Sequence, residues 1–223
     1  MAIVGGFNGI EIGPHVRAGD YVEGYLDVVL EHVTIMDSDH AGLSVVGLNS
    51  SVRVIHCQFV ENGEFGVVVS QSALVDLANC QIVGNGGAVD AEPYRITAGV
   101  YAIEAAIVRL SRSVVEGNLG VGVRAEDTAD LLLTDITISD NTQGGVLVWD
   151  SVTLSLTASR ILRNGGWGMQ FLSASCEPHS LFVSHFFNGE VSGSGNMIPA
   201  AGDTDGNLSG SVCPTSYEWL NAL

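Results

Sequence analysis

The sequence contains no lysine, and its only permanently basic side chains are eight arginines. Against these stand 25 aspartate and glutamate residues, which give a formal net charge of −17 at pH 7. A charge of this size repels phosphate backbones and anionic membrane surfaces. The composition therefore predicts that nucleic acid is not a partner.

Long apolar runs and cysteines are also scarce. No run approaches the ~18 apolar residues that a membrane-spanning helix needs, so we expect no membrane insertion. The opening segment MAIVGGFNG lacks the charged start and apolar stretch of a secretory signal, so an exported protein would be a mature or trimmed chain. Four cysteines are too few for a disulfide scaffold in 223 residues.

Proline is limited to five residues, whereas glycine is abundant at 28. Val and Ile occur in short runs bounded by Gly and Asn, which is typical of strands rather than helices. A chain of 223 residues can bury one sizeable core, and no stretch has the composition of an interdomain linker. We therefore expect a single all-β domain with almost no helix.

A repeat of 23 residues runs through most of the chain. The segments CQFVENG, from Cys57, and CQIVGNG, from Cys80, begin alike, and their asparagines lie 23 positions apart. Allowing one ten-residue insertion, five asparagines fall in phase: Asn62, Asn85, Asn118, Asn141 and Asn164. Before each Asn, apolar or small residues occupy alternate positions, which indicates strands with one buried face. After each Asn come a glycine and a third short strand, here called the glycine strand.

Three short strands per turn of ~23 residues, with each turn stacked on the last, predict a right-handed parallel β-helix. The expected fold is an all-β solenoid of about seven coils over residues 1–196. Residues 197–223, which include Leu220, are expected to form an irregular cap of the same domain, with its aromatic residues Tyr217 and Trp219 covering the last coil. Cys57 and Cys80 are expected to be packed thiols on consecutive coils, because stacked parallel side chains rarely present the torsion of a disulfide.

The pattern G-V-x-V … V-x-L-x-N-C-x-I-x-x-N resembles the β-helix repeats of bacterial extracellular proteins of the pectate-lyase-like superfamily. The resemblance covers nearly the whole chain, and it implies this fold and an extracellular or cell-surface location. It does not imply one activity, because lyases, hydrolases, esterases, adhesins and non-catalytic proteins share the fold. The stretch GNMIP…DGNLSGSVCP also resembles the tail of some secreted members. Cys176 and Cys213 either form a disulfide, which would imply an oxidising compartment, or remain free.

The outward face of the glycine strands is unusually apolar. By register, its residues are Ser44, Val68, Tyr101, Arg124, Leu147 and Gln170 in one column, and Val46, Ser70, Ile103, Glu126, Trp149 and Leu172 in the next. Such a face either marks an interaction site or is covered by insertions, and both alternatives stay open. As an interaction site, its predicted ligand-binding residues are Tyr101, Ile103, Leu147, Trp149 and Leu172, with Tyr94 and Arg95 from the insertion at 88–99. Tyr101 and Trp149, about 10 Å apart along the rod, are candidates for stacking on sugar rings.

For catalysis, the lyase and hydrolase motifs of the superfamily are absent. An Arg base can abstract a proton α to a uronate carboxylate, and Arg124 beside Glu126 is the candidate pair. For metal binding, Asp37 and Asp39 in an acidic bend, and Asp203 and Asp205 in DTDGN, could supply oxygen ligands to Ca²⁺. The alternative for these acids is solvated turns, and the protein then needs no cofactor. His32 and His56 align on successive coils and are interpreted as a column lining a bend.

Three functions remain in competition. The preferred hypothesis is a non-catalytic extracellular module that binds a polysaccharide or a protein partner through the outward face of the glycine strands. The second is a polysaccharide lyase or hydrolase with an atypical site. The third is a structural subunit that associates with itself through an exposed N-terminal coil and stacks head to tail into filaments.

Overall fold

The computed structural model describes residues 1–13, 26–87, 96–172, 176, 187–199 and 203–221. Within these ranges the chain forms 22 strands and one short 3-10 helix, Thr215–Asn221. No helix among these residues has the length and apolar character needed to cross a membrane. The all-β class predicted from the sequence is confirmed.

The strands form three parallel sheets, each with one strand per coil. Sheet A contains β1 (Ala2–Val4), β4 (Thr34–Met36), β7 (Gln58–Val60), β10 (Gln81–Val83), β13 (Val114–Glu116), β16 (Thr137–Ser139) and β19 (Arg160–Leu162). Sheet B, which holds the glycine strands, contains β2 (Asn8–Ile12), β5 (Ala41–Val46), β8 (Phe65–Ser70), β11 (Ala98–Ala102), β14 (Val121–Ala125), β17 (Gly144–Val148), β20 (Trp167–Phe171) and β22 (Gly210–Cys213). Sheet C contains β3 (Leu26–Glu31), β6 (Ser50–Ile55), β9 (Leu74–Ala78), β12 (Ile107–Ser111), β15 (Asp130–Thr134), β18 (Thr153–Thr157) and β21 (Glu190–Ser194). With sheets of seven, eight and seven strands, the prediction of about seven coils is confirmed.

The predicted register is the observed one. Gln58 pairs with Gln81, and Phe59 with Ile82, across neighbouring coils. Inward residues of all three sheets meet in one core that runs the length of the solenoid. Along this core the asparagines form a ladder, in which Asn62 Nδ2 donates to Asn85 Oδ1 at 2.9 Å and each later asparagine repeats the bond. The single file predicted for these residues is therefore confirmed.

The cysteines divide into two pairs. Cys57 and Cys80 are free and buried, as predicted. Burial raises the pKa of the Cys80 thiol to about 11, which keeps it in the unreactive neutral form. Cys176 and Cys213 form a disulfide, which resolves the alternative that the sequence left open.

The C-terminal segment continues the solenoid further than the repeat suggested. Asn207 accepts a hydrogen bond from Asn164 and so extends the ladder, and β22 adds an eighth strand to sheet B. The 3-10 helix then closes this end, with Leu220 fully buried and the Tyr217 ring 4.3 Å from that of Phe171. Trp219, which was also expected to cover the last coil, is 48% exposed.

Candidate functional site

The outward face of sheet B carries a second apolar cluster. Leu147, Trp149 and Leu172 are 6%, 5% and 2% exposed and lie in one cluster with Phe65. Tyr101 packs against this cluster and is half-buried. The sequence thus identified the apolar column correctly, but three of its proposed ligand-binding residues are buried and offer no open ring or side chain to a sugar. Ile103 is half-buried, and Tyr94 and Arg95 lie outside the described residues.

A row of contacting rings runs along this face, stacked at two contacts and edge-on between His40 and Phe65. The ring centroids of Phe7 and His40 are 5.0 Å apart, those of His40 and Phe65 are 5.4 Å apart, and those of Phe65 and Tyr101 are 5.2 Å apart. Sequence reasoning missed the first three of these side chains because it counted only the residues after each glycine. Phe65 stands immediately before Gly66, so the residue before the glycine was the signal that could have found it.

Arg124 extends this row of rings, because its guanidinium lies between the rings of Tyr101 and Trp149. Its Cζ atom lies 4.5 Å from the ring centroid of Tyr101 and 4.7 Å from that of Trp149, which is cation–π geometry on both faces. The guanidinium donates to the carbonyl of Ile96 at 2.7 Å and to Glu126 Oε2 at 3.1 Å. Burial lowers the pKa of Arg124 to about 10. The candidate base is therefore held as a half-buried structural cation, with donors on both terminal nitrogens in use.

Glu126, the other catalytic candidate, is buried beside Arg124. Burial raises the pKa of Glu126 to about 7, with further increases from the charges of Asp127 and Asp150. A hydrogen bond from the Trp149 side chain opposes this increase. The carboxyl group therefore titrates near neutral pH, as an acid–base catalyst would, yet it makes an ion pair with Arg124 of β14, the strand that ends just before it.

The perturbed carboxyl predicts a pH-dependent effect of Glu126→Gln. Between its ordinary pKa near 4.5 and about 7, the folded protein retains the Glu126 proton and the unfolded chain does not, so the free energy of unfolding falls as pH rises. Glutamine has no such proton. The free energy of unfolding of the variant, taken relative to that of wild type, should therefore rise by on the order of 2–3 kcal/mol between pH 4 and pH 8. Urea unfolding at each pH measures this difference.

An exposed carboxylate supplies the control for this measurement. Asp130, on the outward face of sheet C, is exposed. The free energy of unfolding of Asp130→Asn should therefore stay much closer to that of wild type across the same pH range. Parallel stability curves for Glu126→Gln and wild type would show that Glu126 titrates no differently in the folded protein and in the unfolded chain.

The four acidic residues proposed as Ca²⁺ ligands differ in what they contact. Asp205 lies 3.0 Å from Arg163, which also pairs with Asp140 at 2.7 Å, so Asp205 is engaged in an ion pair; its role as a calcium ligand stays a prediction. Asp203 is exposed in the same turn. Asp37 and Asp39 are exposed and line a groove of about 580 Å³. Among the described residues, no group of three His, Cys, Asp or Glu side chains is positioned to hold a metal ion.

A separate, open groove of about 340 Å³ lies where sheet C turns into sheet A. We call it the His–Gln groove; its described lining residues are His32, Thr34, His56, Cys57, Gln58, Asn79 and Gln81. The two histidine rings lie face to face, with centroids 5.1 Å apart and planes 4° from parallel. The alignment of His32 and His56 predicted from the repeat is confirmed. The stacking covers one face of each ring, and both histidines remain exposed to a ligand in the groove.

Beside the histidines, side chains on sheet A form a hydrogen-bonded ladder. Thr34 Oγ1 donates to Gln58 Oε1 at 3.1 Å, and Gln58 Nε2 donates to Gln81 Oε1 at 2.9 Å. Both glutamines are exposed. The groove therefore presents amide and imidazole groups that repeat once per coil.

The backbone at this bend explains which residues stand there. His32, His56 and Asn79 have φ of 54°, 54° and 55°, in the left-handed region. The same column continues with Arg112 and Asp135, at φ of 46° and 53°. Asn, Asp and His are the side chains other than glycine that enter this region most readily. The column ends in Ala158, at φ of 50°, so left-handed backbone favours polar side chains at this corner in the five preceding coils but does not require them.

The model for the right-handed β-helix region matches residues 7–92 and 94–182, well over half of the sequence. The chain belongs to the right-handed β-helix family. This identity confirms the hand of the solenoid and the fold that the repeat resembled. No curated protein and no solved structure matches this β-helix in the corresponding searches.

Proposed function

We propose that this β-helix is a non-catalytic module that binds a neutral polysaccharide, and that the His–Gln groove is its binding site. The sequence alone favoured the outward face of the glycine strands. The burial of Leu147, Trp149 and Leu172 there moves the proposal to the groove.

One observation carries this proposal. The protein has a net charge of −17, yet no Asp, Glu or Arg stands among the described residues that line the groove. Two charged side chains touch the lining from outside: Glu31 lies 3.6 Å from His32, and Arg112 donates to Asn79 at 3.3 Å. Sugar hydroxyls donate and accept hydrogen bonds, and the amide and imidazole groups of the groove do the same. These groups repeat at the strand spacing of ~4.8 Å, so an extended glycan lying along the rod would meet a similar set of partners on each coil.

Other occupants and activities have less support. A protein interface needs an apolar, aromatic centre, and the polar lining of the groove offers none. A lyase or hydrolase has one observation in its favour, the near-neutral pKa of Glu126, but Arg124 is already bonded to Glu126 and to a backbone carbonyl. Head-to-tail stacking would require an open last coil, whereas the 3-10 helix with Leu220 occupies that end.

The Cys176–Cys213 disulfide supports one further part of the proposal. Disulfides persist in oxidising compartments and are rare in the cytosol. We therefore propose that this β-helix works outside the cell or at its surface.

The proposal predicts that groove variants lose glycan affinity. A glycan array would first identify a neutral ligand, and titration calorimetry would then compare variants. His56→Asn removes one ring and keeps a residue suited to left-handed backbone, as Asn79 shows one coil later. Together with Gln58→Ala it should weaken binding about tenfold or more. Asparagine has no polar atom at the position of the imidazole Nε2, alanine has none in place of the glutamine amide, and each lost hydrogen bond is worth about 1 kcal/mol.

The same column supplies a matched control. Thr137 occupies the position of Gln58 three coils further along sheet A, outside the groove. Thr137→Ala should bind as wild type does. The proposal fails if no neutral glycan binds the wild-type chain, or if His56→Asn/Gln58→Ala retains full affinity.

A further inference from the structure

The hydrogen bonds of the Thr34–Gln58–Gln81 ladder in the His–Gln groove all run in the same direction along the rod. Each link donates toward the C-terminal coils, from Thr34 to Gln58 and from Gln58 to Gln81. Gln81 accepts the last of these bonds through Oε1, and its Nε2 makes no hydrogen bond among the described residues. The ladder therefore ends in an exposed NH₂ group that can only donate.

The next position in this column is apolar. Val114 pairs with Gln81 on the neighbouring strand and is half-buried. An amide donor and an isopropyl group thus stand side by side, ~4.8 Å apart at the spacing of adjacent strands. Val114 cannot accept from Gln81, so the column itself leaves this donor for solvent or a ligand.

This pair of groups discriminates between sugar substituents. A hydroxyl group is both donor and acceptor, and it gains nothing from an apolar neighbour. An acetamido group carries a carbonyl oxygen, which only accepts, joined directly to a methyl group. The oxygen suits the Gln81 NH₂, and the methyl group can lie against Val114, where both leave water. Hydrogen bonds in a chain also polarise one another, which strengthens the terminal donor.

We infer that the His–Gln groove is selective for N-acetylated sugars at the end where Gln81 lines it, with Gln81 and the neighbouring Val114, just beyond the lining, forming the acetamido subsite. This inference rests on the proposed function, because it names the substituent that the same groove reads. The uncharged acetamido group also suits a strongly acidic protein, which would repel a glycan bearing carboxylates.

The test compares two ligands that differ at this substituent alone. Oligomers of β-1,4-linked N-acetylglucosamine and β-1,4-linked glucose oligomers of equal length would be titrated calorimetrically into the full chain. We expect the acetylated oligomer to bind at least tenfold tighter. Gln81→Glu, which keeps the shape and replaces the NH₂ with an acceptor, should abolish that preference, whereas Thr137→Ala should retain it.

The outcomes separate this inference from the proposed function. Equal affinity for the two oligomers, or preference for glucose, would overturn the acetamido subsite and leave glycan binding in place. Loss of preference in Gln81→Glu with retained affinity for glucose oligomers would support the subsite. A preference that survives in Gln81→Glu would overturn it. If neither oligomer nor any other neutral glycan binds, both proposals fall.

Discussion

Replacing Asn118 by alanine is expected to lower the free energy of unfolding by about 4 kcal/mol or more, since each buried group left without its partner costs about 1–3 kcal/mol. The Asn118 side chain is fully buried and donates to the Ile82 carbonyl at 3.2 Å and to Asn141 Oδ1 at 2.8 Å. Its own Oδ1 accepts from the backbone and side-chain nitrogens of Asn85, both at 2.9 Å. Alanine leaves groups on both neighbouring coils without these bonds, in a space too enclosed for solvent to replace them.

A second amide ladder on the same coils provides the control. Gln81 also accepts a hydrogen bond from the preceding coil, but its side chain is exposed and water can replace the bond. Gln81→Ala should therefore cost less than about 1 kcal/mol in urea unfolding. Comparable losses for the two variants would show that burial of the asparagine ladder does not govern its contribution.

The register was predictable because it is a requirement of stacking. A coil buries its inner face only against its neighbours, so inward residues must recur at the coil length. The glycine after each Asn follows from the same contacts. A Cβ atom on Gly122 would lie 2.5 Å from Ile138 Cγ2 and 2.8 Å from Asn141 Nδ2, distances that real Cβ atoms almost never show. Asn and Gly are thus coupled through the packing of consecutive coils.

Exposure of the outward face was not predictable in the same way. Alternation within a strand says that Leu147 and Trp149 point away from the core, and they do. It does not say what packs on them from elsewhere in the chain, and both are buried. The row of rings from Phe7 through His40 to Arg124 likewise depends on contacts between side chains at different positions along their strands, which strand periodicity does not describe.

The acidic turn that holds Asp205 shows a similar limit. Asp205 was assigned to a calcium loop from its local sequence, but its partner Arg163 lies 42 residues earlier. Residues 203–221 follow an irregular stretch, so the repeat could not place Asp205 beside a particular coil. In the His–Gln groove, by contrast, the 23-residue spacing places Gln58 beside Gln81, and only the direction of their hydrogen bond needed coordinates.

Reducing the Cys176–Cys213 disulfide is expected to lower the free energy of unfolding by about 4 kcal/mol. The bond closes a loop with a sequence separation of 37 residues, and the chain-entropy model assigns roughly that stabilisation to a loop of this length. The bond also attaches residue 176 to β22, the last strand of sheet B, near the end that the 3-10 helix closes. Urea unfolding with and without a reductant that does not itself denature the protein measures the effect.

The two buried thiols make this experiment specific. Cys57 and Cys80 carry no disulfide, so reductant should not change them, and a Cys176→Ser/Cys213→Ser variant should have the stability of the reduced wild type in either condition. If the wild type is equally stable with and without reductant while thiol labelling confirms that the bond is broken, the disulfide does not restrain the unfolded chain. Closure of the C-terminal end would then rest on the packing of Leu220 and Tyr217 alone, and truncation of the 3-10 helix would become the change with the larger effect.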